Sequence, residues 1–226
     1  MTVSETMEKK PSEETDRKIE VVPLKGPVET LQKRGLIGSL RMLSVLAFVA
    51  ALLWVSQPTW TTVLAGAPFV AVGIWWRVWA SGHLLKTKEV AVSGPYRHVQ
   101  NPLYFGRLCL GTGFCLIAWT EVVIGGTVVP LNLVALAGFW LVFFVYYMPR
   151  KKRVEGGRLT KLHGATYTEW AEHVPLVIPR LTPHGENVRQ WDRARFERLH
   201  EGLMVAMLVA VTVAFAIKAA MASGTP

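Results

Sequence analysis

Long apolar runs without a charged residue constrain this sequence more than any other feature. Five runs contain no Asp, Glu, Lys or Arg: residues 42–57, 59–76, 108–120, 122–148 and 202–217. A helix needs about 20 mostly apolar residues to cross the hydrocarbon core of a bilayer. Basic residues beside the runs can reach the headgroups and extend short spans, namely Arg41, Arg77, Arg107 and Lys218.

The runs therefore predict an all-α fold, a multi-span integral membrane bundle of about five transmembrane helices. The expected spans are residues 40–57, 59–80, 103–120, 128–148 and 202–221. Pro130 is expected near the start of the fourth helix. A soluble five-helix bundle agrees less well with these runs, because the helices of such a bundle usually carry a polar stripe.

Charge is distributed unevenly along the chain and predicts its orientation. The net charge is +9, and residues 149–201 hold eleven Lys and Arg. Basic residues also precede the first span and occupy the loop before the third, whereas the loop before the fourth carries only Glu121. Cytoplasmic loops carry the excess of Lys and Arg, so we expect a cytoplasmic amino terminus and a carboxyl terminus on the opposite side of a bacterial inner membrane or its equivalent. This distribution favours membrane lipids over nucleic acid as partners of the basic run Arg150, Lys151, Lys152 and Arg153.

The sequence divides into three predicted parts. Residues 1–32 are polar and mixed in charge, which is typical of a flexible cytoplasmic tail. Residues 33–180 form the membrane core with its cytoplasmic segments. Residues 181–226 add a polar helix at 187–200 and the fifth span, which is a candidate contact for homo-oligomer formation.

The first segment suited to chemistry is residues 93–106, around the start of the third predicted span. Asn101 and Pro102 are typical of the N-cap and the first turn of a helix. Four side chains are expected to cluster there near the membrane surface: Tyr96, Arg97, His98 and Tyr104. Arg97 and the N–H groups of the helix start could hold a carboxylate. An ordinary interfacial belt, with tyrosine at the headgroups and arginine on phosphate, is the alternative.

The second segment is residues 153–179, directly after the fourth predicted span. Gly164 is expected to end one short helix before the next begins. Glu155 lies two residues after Arg153, close to the membrane, where a carboxylate is either functional or paired in a plain salt bridge.

Together the two segments resemble the isoprenylcysteine carboxyl methyltransferases and the related phospholipid N-methyltransferases. The positions that match the family pattern, in order within residues 59–180, are Gly94, Tyr96, Arg97, Pro102, Tyr104, Glu155, Leu159, Gly164, Tyr167, Trp170, Val174, Pro175 and Pro179. Three positions depart from it: Asn101 replaces a histidine, Gly156 replaces a second glutamate and His163 replaces a phenylalanine.

The resemblance implies an enzyme that transfers a methyl group from S-adenosylmethionine to a lipophilic acceptor, a prenylcysteine-type carboxylate on a small molecule or lipidated substrate. The cofactor would bind at the cytoplasmic face, and the acceptor would enter between helices. The implied cofactor-binding residues are Tyr96, Arg97, His98, Asn101, Pro102, Tyr104, Arg153 and Glu155. Arg153 and Glu155 are also the predicted catalytic residues, and no metal site is expected.

Other functions stay open on the sequence. A phosphatidylethanolamine-type amine acceptor would need a base to remove a proton, for which Glu155, His98 and His163 are candidates. A sterol-type membrane reductase with a nicotinamide cofactor has a related architecture but more spans. A non-catalytic membrane scaffold would account for the replaced residues at Asn101 and Gly156.

Overall fold

The computed structural model describes residue 47 and residues 49–84 and 90–224. Within these residues, three helices are long and apolar enough to cross a membrane: Trp60–His83 (α1), Leu131–His173 (α3) and Glu201–Ser223 (α5). The predicted helical membrane protein is therefore confirmed at the level of these three helices. A shorter apolar helix, Pro102–Ile117 (α2), lies at the third predicted span. The first predicted span is helical at residues 49–55, and its earlier part lies largely outside the described residues, as do the predicted tail and Arg41.

Small residues let α1 and α2 approach each other closely. A Cβ atom at Gly66 would collide with the carbonyl oxygen of Gly113, and one at Gly73 would lie 2.9 Å from the carbonyl oxygen of Gly106. Close backbone approach at glycine is a common way for helices to associate where lipid supplies no hydrophobic driving force.

The carboxyl-terminal helix α5 belongs to the same core as α1 and α2. Phe215 is 1% exposed and lies in one cluster with Val63, Val70 and Ile117. Trp191, before α5, packs against Gly82 and donates from its indole nitrogen to the Val78 carbonyl oxygen at 2.9 Å. The predicted polar helix at 187–200 is shorter in the structure, Arg193–Arg198 (α4).

A buried ion pair joins α1 to α5. Nη2 of Arg77 donates to the two carboxylate oxygens of Glu201 at 2.7 and 3.1 Å, and the side chains are 5% and 9% exposed. Arg77 was expected to reach the lipid headgroups, and that expectation is wrong. The arginine is buried because a carboxylate 124 residues further along the chain neutralises it.

Lys218 anchors the opposite end of α5. Its ammonium group donates to the carbonyl oxygens of Leu53, Trp54 and Ser56, at 3.1 Å for Trp54 and 2.6 Å for Ser56. These carbonyls lie at the end of the helical residues 49–55, where helix carbonyls lack intrahelical partners. Lys218 therefore binds the protein rather than extending α5 toward the headgroups, as the sequence had suggested.

A short β-hairpin precedes α3 where the sequence predicted only a long apolar run. Glu121–Ile124 (β1) pairs antiparallel with Thr127–Pro130 (β2) around Gly125 and Gly126, whose φ angles are 58° and 81°. Positive φ at both turn residues suits the tight turns that follow the twist of paired strands. The helix then begins at Leu131, so the expectation that Pro130 lies near its start is confirmed.

The helix α3 continues well beyond the length that a membrane needs. It contains two π-helical turns, Val142–Tyr147 and Lys152–Gly156, and its backbone leaves the helical region at Gly164, where φ is 53°. The predicted helix end at Gly164 is therefore confirmed as a sharp kink. The part after Met148 carries the second predicted site segment away from the apolar part of the helix.

Candidate functional site

The two predicted segments meet through backbone hydrogen bonds. We call residues 174–187 the strap, because they run along the loop at residues 93–101. Gln100 N–H donates to the Pro175 carbonyl oxygen at 2.8 Å, and Arg180 N–H donates to the His98 carbonyl oxygen at 3.0 Å. The structure therefore brings together regions that are about 80 residues apart in the chain.

Three predicted cofactor-binding residues use their side chains to hold the strap. Nε of Arg97 donates to the His184 carbonyl oxygen at 3.3 Å, and its guanidinium also contacts the Gly185 carbonyl. Nδ1 of His98 lies 2.9 Å from the Arg180 carbonyl oxygen. These contacts occupy Nε and Nη2 of Arg97 and Nδ1 of His98, which leaves fewer of their nitrogens to bind a ligand.

Asn101 also binds the strap rather than its own helix. It occupies the N-cap position of α2, yet its side chain makes no capping hydrogen bond. The amide nitrogen donates instead to the Leu176 carbonyl oxygen at 3.2 Å. Asn101 therefore stands at the expected N-cap position, but the expected capping hydrogen bond is not made, and the side chain bonds the strap through its amide nitrogen instead.

Tyr96 and Pro102 are buried parts of the loop. Tyr96 lies in a short 3₁₀ helix, Gly94–Arg97, and is 6% exposed. Burial raises the pKa of Tyr96 above the usual tyrosine value, with a smaller contribution from the charge of Glu201. Pro102 is the fully buried first residue of α2. Both residues shape the loop that carries the neighbouring hydrogen-bonding groups.

Tyr104 and Glu155 meet at one ammonium group. Nζ of Lys151 lies 3.9 Å from the centre of the Tyr104 ring and forms an ion pair with the Glu155 carboxylate. Arg107 lies over the same ring at 4.8 Å and donates to the Tyr147 hydroxyl at 3.3 Å. We call these five residues the Tyr104 cluster, which combines two cations, a carboxylate and two phenol rings.

Two interpretations of Glu155 were open on the sequence, a functional carboxylate or a plain salt bridge. The carboxylate is paired, as the salt-bridge alternative requires, but its partner is Lys151 and its side chain is 50% exposed. Arg153 is exposed and has no hydrogen-bond or ion-pair partner within the described ranges. The structure thus brings Glu155 to Tyr104 and leaves Arg153 apart from both.

An open cavity of about 710 Å³, lined by both polar and apolar groups, lies between α3 and the strap, and we call it the polar cavity. Its lining residues are Gln100, Lys152, Gly156, Gly157, Thr160, Tyr167, Thr168, Ala171, Glu172, His173, Val174, Pro175 and Leu176. Lys152, Gly156 and Thr160 recur every four residues and so form one face of the helix. The kink at Gly164 turns the chain back, so that residues 167–176 form the opposite wall.

The side chains of this cavity suit S-adenosylmethionine, the cofactor that the resemblance implies. The volume lies within the range of about 300–1,000 Å³ that is usual for small-molecule sites. Lys152 offers a cation for a carboxylate, and Glu172 offers a carboxylate for ribose hydroxyls or an amino group. Gly156 faces Tyr167 across the cavity, where a Cβ would lie 3.5 Å from the Tyr167 hydroxyl, an ordinary van der Waals distance.

An apolar groove of about 340 Å³ lies among α1, α2 and α3. Its lining residues are Pro68, Phe69, Val72, Phe105, Leu108, Cys109, Thr112 and Trp140. The Thr112 hydroxyl donates to the Leu108 carbonyl oxygen at 2.8 Å and accepts from the Trp140 indole at 3.0 Å. Because these polar groups satisfy one another, the groove suits hydrocarbon.

One hydrophobic cluster lies between the polar cavity and the apolar groove. Phe143, Met148 and Val177 form its buried centre. Leu176 and Leu108 pack against it, and these two residues line the cavity and the groove respectively. Tyr104 and Tyr147 pack against the same centre, so the Tyr104 cluster adjoins the hydrophobic cluster that both sites share.

None of the eight predicted cofactor-binding residues lines the polar cavity, although Tyr167, Val174 and Pro175 of the family pattern do. Gln100 is the member of the first segment that lines it, and its amide donates to the carbonyl oxygens of Ala171 and Val174 at 2.8 and 2.6 Å. In the sequence, Lys152 was not distinguished from the other three residues of the basic run. The four-residue spacing from Lys152 to Gly156 was a signal that could have separated it from its neighbours.

Within the described residues, the chain is thus a helical protein with three helices able to span a membrane, a polar cavity at one end and an apolar groove among the helices. Comparison with models of protein families, with curated proteins and with solved structures finds no match.

Proposed function

We propose that this chain is an integral membrane methyltransferase that transfers a methyl group from S-adenosylmethionine to a lipophilic acceptor, a prenylcysteine-type carboxylate. The observation that carries the proposal is the polar cavity and the apolar groove on either side of one hydrophobic cluster. A water-soluble cofactor and a membrane-dissolved acceptor need separate sites with a common boundary. The order of the motifs along the chain supports the same reaction class.

The polar cavity would hold the cofactor through its own side chains. Lys152 would bind the carboxylate, and Glu172 would accept hydrogen bonds from the ribose hydroxyls or the amino group. The bound cofactor supplies an already activated methyl group. The protein therefore contributes mostly alignment of the reacting atoms and exclusion of water.

The Tyr104 cluster would orient the acceptor. Lys151 and Arg107 flank the Tyr104 ring, which packs against the same hydrophobic cluster as Leu108 of the groove. A carboxylate whose apolar chain lies in the groove would then have cations nearby. A carboxylate acceptor needs no general base. Glu155, one of the two predicted catalytic residues, would act by holding Lys151 in place.

The finer topology is also part of the proposal: five spans with a cytoplasmic amino terminus. Gln57 N–H donates to the Trp119 carbonyl oxygen at 2.6 Å, so the turn after the first span lies at the same end as the connection after α2. The loop at residues 93–101 and the strap lie together at the other end of α2. Basic residues are concentrated at that second end, as expected of the cytoplasmic side.

Calorimetric titration of S-adenosylmethionine into detergent-purified protein tests the cofactor site. Lys152→Ala and Glu172→Ala should each weaken binding by about tenfold to a hundredfold, since each removes a partner of a charged group. Lys161→Ala and Glu169→Ala are the matched controls, because these exposed residues lie on the same helix without lining the cavity. Absence of saturable binding, or equal losses in the cavity and control variants, would contradict the proposal.

A further inference from the structure

The lipid-facing side of α3 continues into a pair of unpartnered arginines. Val142 and Tyr146 are 58% and 61% exposed in the apolar part of the helix. Arg150 and Arg153 follow Tyr146 by four and seven residues and are also exposed. Residues at this spacing share one side of a helix. The exposed apolar stripe therefore ends in two positive charges.

Within the described part of the chain, no hydrogen bond or ion pair neutralises the charges of these two arginines. Neither Arg150 nor Arg153 has a hydrogen-bond or ion-pair partner among residues 49–84 and 90–224. Their neighbours in the basic run have protein contacts: Lys151 pairs with Glu155, and Lys152 lines the polar cavity. The run is thus divided between an inner pair that serves the site and an outer pair that faces the surroundings.

The position of Arg150 and Arg153 along α3 places their side chains within reach of the lipid headgroup layer. At about 1.5 Å per residue, Arg150 lies about 6 Å beyond Tyr146, and Arg153 about 10 Å. The headgroup layer on each side of a bilayer is about 5–8 Å thick, and arginine side chains can reach back toward it. Arg158 and Lys161 lie about 18 and 22 Å beyond Tyr146, which places them past this layer.

We propose that Arg150 and Arg153 form a binding surface for the headgroups of anionic phospholipids. The guanidinium fork matches a phosphate in two parallel hydrogen bonds, and a net negative lipid adds charge complementarity that a zwitterionic lipid lacks. Each arginine near a membrane surface favours anionic lipid by about fivefold, so the pair gives about 25-fold. This role for Arg153 differs from the catalytic one that the sequence suggested, which stays a prediction.

Native mass spectrometry of protein released from nanodiscs with equal phosphatidylglycerol and phosphatidylcholine measures the preference. The wild type should carry an excess of phosphatidylglycerol that R150Q/R153Q loses by about 25-fold. R158Q/K161Q is the matched control, with the same change of charge on the same helix, and should keep the excess. Equal lipid populations in the wild type, or equal losses in the two double variants, would overturn the proposal.

Ionic strength gives a second readout that needs no variant. The excess of phosphatidylglycerol on the wild type should fall when salt rises from about 0.1 M to about 1 M, because the screening length falls from about 10 Å to about 3 Å. Inorganic phosphate should act no more strongly than sodium chloride of equal ionic strength. An excess unaffected by salt, or displacement by phosphate beyond that of chloride, would reject an anionic-lipid surface.

Discussion

Breaking the buried ion pair between Arg77 and Glu201 should destabilise the protein far more than breaking an exposed ion pair of the same length. Glu201→Gln removes the charge that balances Arg77, whose side chain is 5% exposed. Breaking a buried pair costs about 3–5 kcal/mol, because the remaining charge is left without solvent or partner. We expect about 3 kcal/mol for this substitution, since the glutamine amide still accepts one hydrogen bond.

An exposed pair in the same chain provides the matched control. Nε of Arg193 lies 2.7 Å from the Glu197 carboxylate, the same distance as in the buried pair, but the side chains are 83% and 59% exposed. Glu197→Gln should cost at most about 0.5 kcal/mol. Unfolding by sodium dodecyl sulfate in mixed micelles, followed by tryptophan fluorescence, measures both free energies.

A double substitution tests whether the lost stability comes from the unbalanced charge of Arg77. Arg77→Met with Glu201→Leu should recover most of the stability lost in Glu201→Gln, because two apolar side chains leave no buried charge. The reasoning is refuted if Glu201→Gln costs no more than Glu197→Gln. It is also refuted if the double variant is less stable than Glu201→Gln.

Two further predictions concern packing and pH. Gly66→Ala should destabilise the helix pair by about 1–3 kcal/mol in the same unfolding assay, because its Cβ would strike the Gly113 carbonyl, whereas Gly138→Ala has nothing within 4 Å and should not destabilise. A neutral Gly66→Ala would contradict the close contact. Burial raises the pKa of Tyr96, so the folded protein keeps this proton at alkaline pH while the unfolded chain loses it. The free energy of unfolding should therefore fall above pH 10, at about 1.4 kcal/mol per pH unit for this group, and Tyr96→Phe should remove that part of the slope; an unchanged slope would contradict the burial.

Most of the fold that could be predicted from the sequence was predicted from its hydrophobic runs. α1, α3 and α5 lie where long uncharged stretches required a helix to bury backbone groups in lipid. The hairpin Glu121–Pro130 was missed because its valines and isoleucine were counted only as apolar. Their β-branched character on both sides of Gly125 and Gly126 was the stronger local signal.

Long-range partners could not be read from the sequence. Arg77 looked like an interfacial residue, since nothing local to it shows that Glu201 lies beside it. Lys218 was interpreted in the same way, and its partners are carbonyl oxygens near residue 53. A charge beside an apolar run is equally compatible with headgroups and with a distant partner, and only the packing of the helices decides.

The candidate site was predictable in its location but not in the roles of its residues. Arg97, His98 and Asn101 do lie at the start of α2, yet their side chains hold a strap about 80 residues away. Glu155 does contact a cation, although Lys151 rather than Arg153 supplies it. The predicted roles in cofactor binding and catalysis stay predictions until a ligand is measured.

Transfer of a labelled methyl group from S-adenosylmethionine to a prenylcysteine-type lipid in nanodiscs measures the proposed activity itself. We expect a saturable, base-labile methyl ester in the lipid fraction, which Glu172→Ala should reduce and Glu169→Ala should not. A base-stable label on the amine of phosphatidylethanolamine would keep the reaction class but overturn the carboxylate acceptor. No transfer to either lipid, with the protein folded and the cofactor in excess, would contradict a methyltransferase.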